Sequence, residues 1–180
     1  MQKIAPFLWF DGNAEEAVHF YVSVFRRAGI GAVTRYSKAG AQVSGRPEGS
    51  IMTLAVHIEG QEFIALNGGP QFRFSEAVSF VVHCDSQEEI DYYWDRLSAG
   101  GDPAAQRCGW LKDRYGVPWQ VVTDMLSGLM LDTTRAGTVM AAPDRPRGPA
   151  SRSPADGRCR VKHLCPIRGT VAAQRRRNPV

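Results

Sequence analysis

The sequence predicts an α+β fold of paired βαβββ modules, two curved mixed sheets enclosing a cavity between them. Three observations lead there. Apolar periodicity before residue 130 alternates between the spacing of strands and that of helices. The alternation then starts again, and its second pass matches the first at a nearly constant offset. All of the 8 Phe, 4 Trp and 5 Tyr lie at or before Trp119, which confines the core-forming chain to that part.

The elements follow in order. Ile4 to Phe10 is a short apolar run closed by Asp11-Gly12-Asn13. Ala14, Ala17, Val18, Tyr21, Val22 and Phe25 then recur at three-and-four spacing, the buried stripe of an amphipathic helix. Asn13 stands at the N-cap position, Glu15 and Glu16 favour the first turn, and Gly29 is expected to end the helix. Val33 to Tyr36 reads as a strand, followed by a Gly/Ser/Pro-rich loop through Gly49. Ile51–Ile58 and Glu62–Leu66 form a hairpin across Glu59-Gly60-Gln61. The second pass has a strand at Ala77–Cys84, a cap at Asp85-Ser86 and a helix at Glu88–Leu97, which Gly100-Gly101 follows. Strands at Arg107–Lys112 and Val117–Val122 flank the turn Asp113-Arg114-Tyr115-Gly116.

Glu15, Glu16, Phe20, Tyr21 and Val24 map onto Glu88, Glu89, Tyr93, Trp94 and Leu97 at one offset. Gly60 and Phe63 map likewise onto Gly116 and Trp119. Neither repeat is large enough to bury a sheet face alone, so the two are expected to pair around one cavity. The modules are placed at about 3–70 and 74–125, in a domain of residues 1–141.

The remainder differs in kind. The formal net charge of +4 averages an acidic first part and a basic second part rich in arginine and proline. A segment without aromatics cannot bury enough apolar area to offset its ordering entropy, so residues 142–180 are expected to be a disordered basic tail. Its abrupt composition reads as an acquired or frame-shifted extension. Cys159, His163 and Cys165 supply three of the four ligands a structural zinc needs, without hydrophobic support, and are read as incidental. Arg175-Arg176-Arg177 reads as a solvated run, not a specific nucleic-acid site. No apolar stretch has the ~18 residues of a membrane span, and no secretory leader is recognised, so a cytoplasmic location with reduced thiols is expected.

Three segments carry a family resemblance: Pro6 to Asp11 (PFLWFD), Leu66 to Ala77 (LNGGPQFRFSEA) and Cys108 to Gln120 (CGWLKDRYGVPWQ). They resemble PhnB-like proteins of the vicinal oxygen chelate superfamily, alongside glyoxalase I and bleomycin-resistance proteins, over about residues 3–140. Many PhnB-like proteins carry the label 3-demethylubiquinone-9 3-methyltransferase. The resemblance implies a homodimer with a cavity in each chain. In metal-dependent members it implies His and Glu ligands from the first and last strand of each module. Those positions fall here near Ala5 and at Ser79, Ile64 and Gln120. Ala and Ile cannot ligate, Ser is a weak neutral ligand and Gln offers an amide, so no metal or other cofactor is expected. His19, His57 and His83 are the domain's other candidates and read as surface or strand-edge residues. Methyl transfer finds no support either, because Gly68-Gly69 is followed by Pro70, not by the helix of a cofactor-binding turn.

The candidate binding residues are Trp9, Asn67, Arg73, Cys108, Trp110, Trp119 and Gln120. Aromatic rings with a few amide and guanidinium groups suit a flat small molecule. Cys108 beside Arg107 is the one candidate nucleophile, with no identified base. The expected function is therefore small-molecule binding without the usual metal. The alternative is an enzyme of the superfamily using a relocated metal or a metal-free acid–base pair.

Overall fold

A computed structural model describes residues 2–123. The predicted tail at 142–180, with Cys159, His163 and Cys165, lies outside the described residues. Strand β1 (Phe7–Phe10) leads into helix α1 (Ala14–Val24), then β2 (Ala28–Arg35), a short helix α2 (Lys38–Ser44), β3 (Ile51–Ile58) and β4 (Gln61–Asn67). The second pass runs β5 (Phe80–Cys84), α3 (Gln87–Ser98), a 3-10 turn at Pro103–Ala105, β6 (Trp110–Lys112) and β7 (Pro118–Thr123). Two mixed sheets result, in the orders β1-β4-β3-β2 and β5-β7-β6, and they do not close on one another. In each, the first strand lies parallel to the last, β1 on β4 and β5 on β7, so the duplication read from sequence is kept in the topology.

The helices form where the apolar stripes require them. Ala14, Ala17, Val18, Tyr21 and Val24 are the buried side of α1, and Ile90, Tyr93, Trp94 and Leu97 that of α3. Ser86 caps α3 by accepting the Glu89 N–H, while the Glu89 carboxylate takes the Asp85 N–H, a reciprocal arrangement close to a capping box.

Several local expectations shift. Helix α1 ends at Phe25, whose backbone turns extended, and Gly29 lies inside β2 instead of terminating a helix. The loop expected up to Gly49 contains α2, because Ser37 caps its start and Gly45, at φ +72°, ends it in the left-handed region. The strand expected from Ala77 begins at Phe80, and the one expected from Arg107 contracts to Trp110–Lys112. Arg107 and Trp110 instead close a tight bridge over Cys108 and Gly109, both at positive φ. The second repeat therefore shows no counterpart of β2 among the described residues. A segment holding Gly100, Gly101, Pro103 and Gly109 has little to hold it extended.

The two sheets share one core and meet through their helix-bearing faces. Tyr21 of α1 contacts Trp119 of β7 at 5.6 Å between ring centres, and Phe25 contacts both Trp119 and Tyr93. Phe63 of β4 meets Phe80 of β5 at 5.0 Å. At the centre stands Asp113, 2% exposed, in the turn between β6 and β7. Its Oδ2 accepts the Tyr21 hydroxyl at 2.8 Å and the Trp119 indole N–H at 2.9 Å. Its Oδ1 accepts the backbone N–H groups of Tyr115 at 2.8 Å and Val117 at 3.0 Å. Burial pushes the Asp113 carboxyl above its usual range, and the four donors offset only part of that. Burial and the neighbouring Asp113 carboxylate push the Tyr21 hydroxyl far upward.

A carboxyl whose pKa is raised on folding stabilises the fold most fully below its unfolded value of 3.8, and loses that contribution as pH rises through the folded value. Tyr21→Phe removes one donor from the charged form and should cost about 1–3 kcal/mol at neutral pH. The deficit should shrink below pH 3.8, where a carboxyl whose folded value is raised above that is mostly protonated. Urea unfolding at both pH values measures it; an equal deficit at both would show that Asp113 stays charged throughout.

Candidate functional site

Alternation along the strands sorts the candidate residues onto different faces. Trp119 and Asn67 are buried, 3% and 8% exposed, on the helix side of their sheets. Trp119 gives its indole N–H to Asp113. The Asn67 Oδ1 accepts the Ala14 N–H at 2.9 Å, its amide donates to the Ile51 carbonyl, and its backbone carbonyl accepts the Tyr36 hydroxyl. Asn67 thus does the work expected of Asn13, whose side chain makes no capping bond. Both residues position strands and helices.

The opposite faces carry the others. Trp9 lies between buried Leu8 and Phe10, pairs with Leu66, and so stands on the open face of the first sheet. It donates its indole N–H to the Gly69 carbonyl at 2.8 Å and packs edge-on against exposed Phe72 at 5.0 Å. A side chain on Gly68 would overlap the Trp9 ring, so the Gly68-Gly69 pair is where indole and backbone approach closely. Phe7 and Ile64, directly paired, share this face. On the second sheet, Trp110 pairs with Gln120, and Gln120 with Val81, all on the face opposite Trp119. Gln120 is half-buried and donates its amide to the Ser79 hydroxyl at 2.8 Å. Arg73 is exposed in the segment between β4 and β5, and Cys108 sits half-buried at φ +56° in the turn before β6. Because the sheets meet through their helix sides, the Trp9 face and the Gln120 face look outward in different directions.

The four positions at which the resemblance implies metal ligands can be tested against this geometry. Ser79 and Gln120 meet, but as a hydroxyl accepting from an amide, with neither atom a basic nitrogen or carboxylate. Ala5 and Ile64 flank Pro6, whose carbonyl accepts the Ile64 N–H, and neither side chain has a donor atom. This set does not fit a divalent ion. Among the described residues no three His, Cys, Asp or Glu side chains gather closely enough to hold one. His57 faces Glu62 across β3 and β4 at 3.7 Å.

Two repeats of strand–helix–strands with parallel first and last strands, with Trp9 on the open face of one sheet and Trp110 beside Gln120 on that of the other, define a glyoxalase/bleomycin-resistance type of α+β protein. The family model described as 3-demethylubiquinone-9 3-methyltransferase matches residues 2–122, and the chain belongs to that PhnB-like family. A solved PhnB protein from Bacillus cereus carrying the same designation is 36% identical, with a TM-score of 0.57, over 68% of this chain and 99% of that one. Protein PA1353 from Pseudomonas aeruginosa shares the fold at 23% identity and a TM-score of 0.52, over 68% and 98% of the two chains. The fosfomycin resistance protein FosX from Listeria monocytogenes aligns at 16% identity and a TM-score of 0.46, over 71% and 94%. Among curated proteins nothing matches. No helix among the described residues is long and apolar enough to cross a membrane.

What sequence reading missed is the role of Tyr21 and Asp113. Tyr21 was legible only as one member of an apolar stripe, and Asp113 only as a turn residue. Replacing Asn67 by Ala removes the acceptor at the start of α1 and the donor to Ile51 together. It should lower stability by about 1–3 kcal/mol. Thermal unfolding checks this, and a change below about 0.5 kcal/mol would show the cap to be dispensable.

Proposed function

We propose that this protein is a small-molecule binding member of the PhnB-like family that holds its ligand by aromatic contact and hydrogen bonds, without the His/Glu-bound ion of metal-dependent relatives. The observation that carries this reading is the Ser79–Gln120 hydrogen bond, which puts two neutral groups together on an open sheet face beside Trp110. A hydroxyl and an amide in contact offer a ligand one donor and one acceptor each, and Trp110 offers it a ring edge or face. The methyltransferase designation of the Bacillus cereus protein does not change this, since Gly68-Gly69 here supports Trp9, and no helix follows it. Residues 1–141 are taken as the domain that carries this activity.

The site is completed in a homodimer. Strands β1 and β5 are the outer strands of their sheets, so each has an edge without a strand partner among the described residues, and such edges invite pairing. Phe7, at 55% exposure beside β1's Trp9, and Val81, at 44% on β5, are large apolar side chains left open at those edges. Joining β1 of one copy to β5 of another sets the Trp9 face beside the Gln120 face. A two-fold axis satisfies both edges of both copies in a closed pair. Trp9, Trp110 and Gln120 then line one cup, with Arg73 and Cys108 on its surrounding loops.

Purified protein should retain no stoichiometric nickel, zinc, manganese or iron after loading and dialysis, measured by elemental analysis. Near-stoichiometric retention would overturn the metal-free reading. Sedimentation should show a dimer for the native chain and monomers for Phe7→Arg and for Val81→Glu, each folded by circular dichroism. An equimolar mixture of the two variants should dimerise again, because the introduced charges then face each other at one contact and the other contact is native. Failure of the mixture to dimerise would exclude a pairing of unlike faces.

A further inference from the structure

A second concavity lies where the two sheets join. Five rings form its floor in an unbroken series, Phe63–Phe80–Trp119–Phe25–Tyr93, with neighbouring centres 5.0–5.4 Å apart. Phe25 and Phe63 come from the first repeat and the other three from the second, so the cleft exists only because the repeats pack through their helix sides. It encloses about 680 Å³, within the range of sites for small organic molecules. Trp119 and Gln120 are consecutive in β7 and face opposite ways, so most of the sheet separates this cleft from the face proposed for the dimer cup, while the edge strand β5 borders both.

The rim is not neutral. Arg27 and Glu59 pair with one another at 2.7 Å. Asp85 and Glu89 add two carboxylates, against one further cation, Arg26, whose guanidinium lies 5.5 Å from the centre of the Tyr92 ring. His83 also lines the cleft. The field inside is consistent with that count: after burial, the carboxylates of Glu59 and Glu89 push the Tyr93 hydroxyl upward, and Arg26 opposes them less strongly. Aromatic faces attract cations through their quadrupoles, and a carboxylate rim adds to that attraction.

We propose that this cleft is a binding site for a small organic cation with an aromatic or bulky apolar body. The apolar part stacks on Phe25, Phe80 and Trp119, and the ammonium group lies by Tyr93 under Asp85 and Glu89. This does not depend on the dimer cup or on the absence of a metal there.

Three probes of matched size test it with the full-length protein: phenethylamine, cationic at neutral pH, 2-phenylethanol and 3-phenylpropanoate. Titration followed by protein NMR should rank them cation, then neutral, then anion. The double variant Asp85→Asn/Glu89→Gln should weaken phenethylamine at least about fivefold and leave 2-phenylethanol within about twofold, as loss of charge attraction alone predicts. Glu89→Gln keeps an oxygen for the Asp85 N–H, so the start of α3 is retained. Arg26→Gln should tighten phenethylamine, a gain that misfolding cannot produce. Equal binding of all three probes, or no binding at millimolar concentration, would overturn the proposal. So would loss of phenethylamine binding in Gln120→Leu with the double variant unaffected, which would place the probe in the cup instead.

Discussion

Four hydrogen bonds converge on the Asp113 carboxylate, and the relative placement of the two sheets depends on them. Two come from its own turn, from the N–H groups of Tyr115 and Val117, and shape the β6–β7 hairpin. The other two come from Trp119 within β7 and from Tyr21 on the helix of the first repeat. One buried acceptor therefore ties a hairpin to a helix 92 positions earlier in the chain. Burying a carboxylate is costly, and burial raises the Asp113 carboxyl by more than its four donors lower it. What the arrangement supplies is direction: a greasy interface between α1 and β7 tolerates many orientations, whereas a carboxylate needing those donors tolerates few.

From that orientation the rest follows. With α1 held against β7, the helix sides of both sheets close into one core of Phe10, Tyr21, Phe25, Phe63, Tyr93 and Trp119. The opposite sides are then necessarily outward, and each keeps an aromatic residue with polar neighbours, Trp9 over Gly69 on one and Trp110 beside Gln120 on the other. The same packing leaves the aromatic-floored cleft at the seam.

Much of this was legible in the chain. The helix stripes of α1 and α3 read directly, because burial on one side of a helix imposes a period that few other causes produce. The parallel pairing of first and last strands was not legible, since it joins residues as far apart in the chain as Phe10 and Asn67. The start of α1 after Asn13 was legible, but its capping partner was not, since the acceptor comes from Asn67, 53 residues away, and not from the Asn13 side chain. Helix α2 was hidden because its seven residues bury nothing and carry no stripe. The shortening of β6 was hidden too, since the left-handed turn at Cys108–Gly109 depends on a bridge between Arg107 and Trp110. Among the candidate site residues, Trp119 and Trp110 look alike in sequence; only their alternation in strands packed on α3 separates a buried hydrogen-bond donor from a residue on an open face.

The sequence by itself determined the α+β class, the duplicated order of elements, the family, and which residues, Ala5, Ile64, Ser79 and Gln120, stand at the four positions where the resemblance implies ligands. These rest on residue identity and on short-range periodicity, which the chain carries wherever it folds. Only the tertiary structure decided which faces of the two sheets meet, and therefore which residues share a site. That depends on contacts such as Tyr21–Asp113 and Phe63–Phe80, made between distant parts of the chain. No local spacing encodes them, because either side of a sheet can satisfy the same alternation until a partner is chosen.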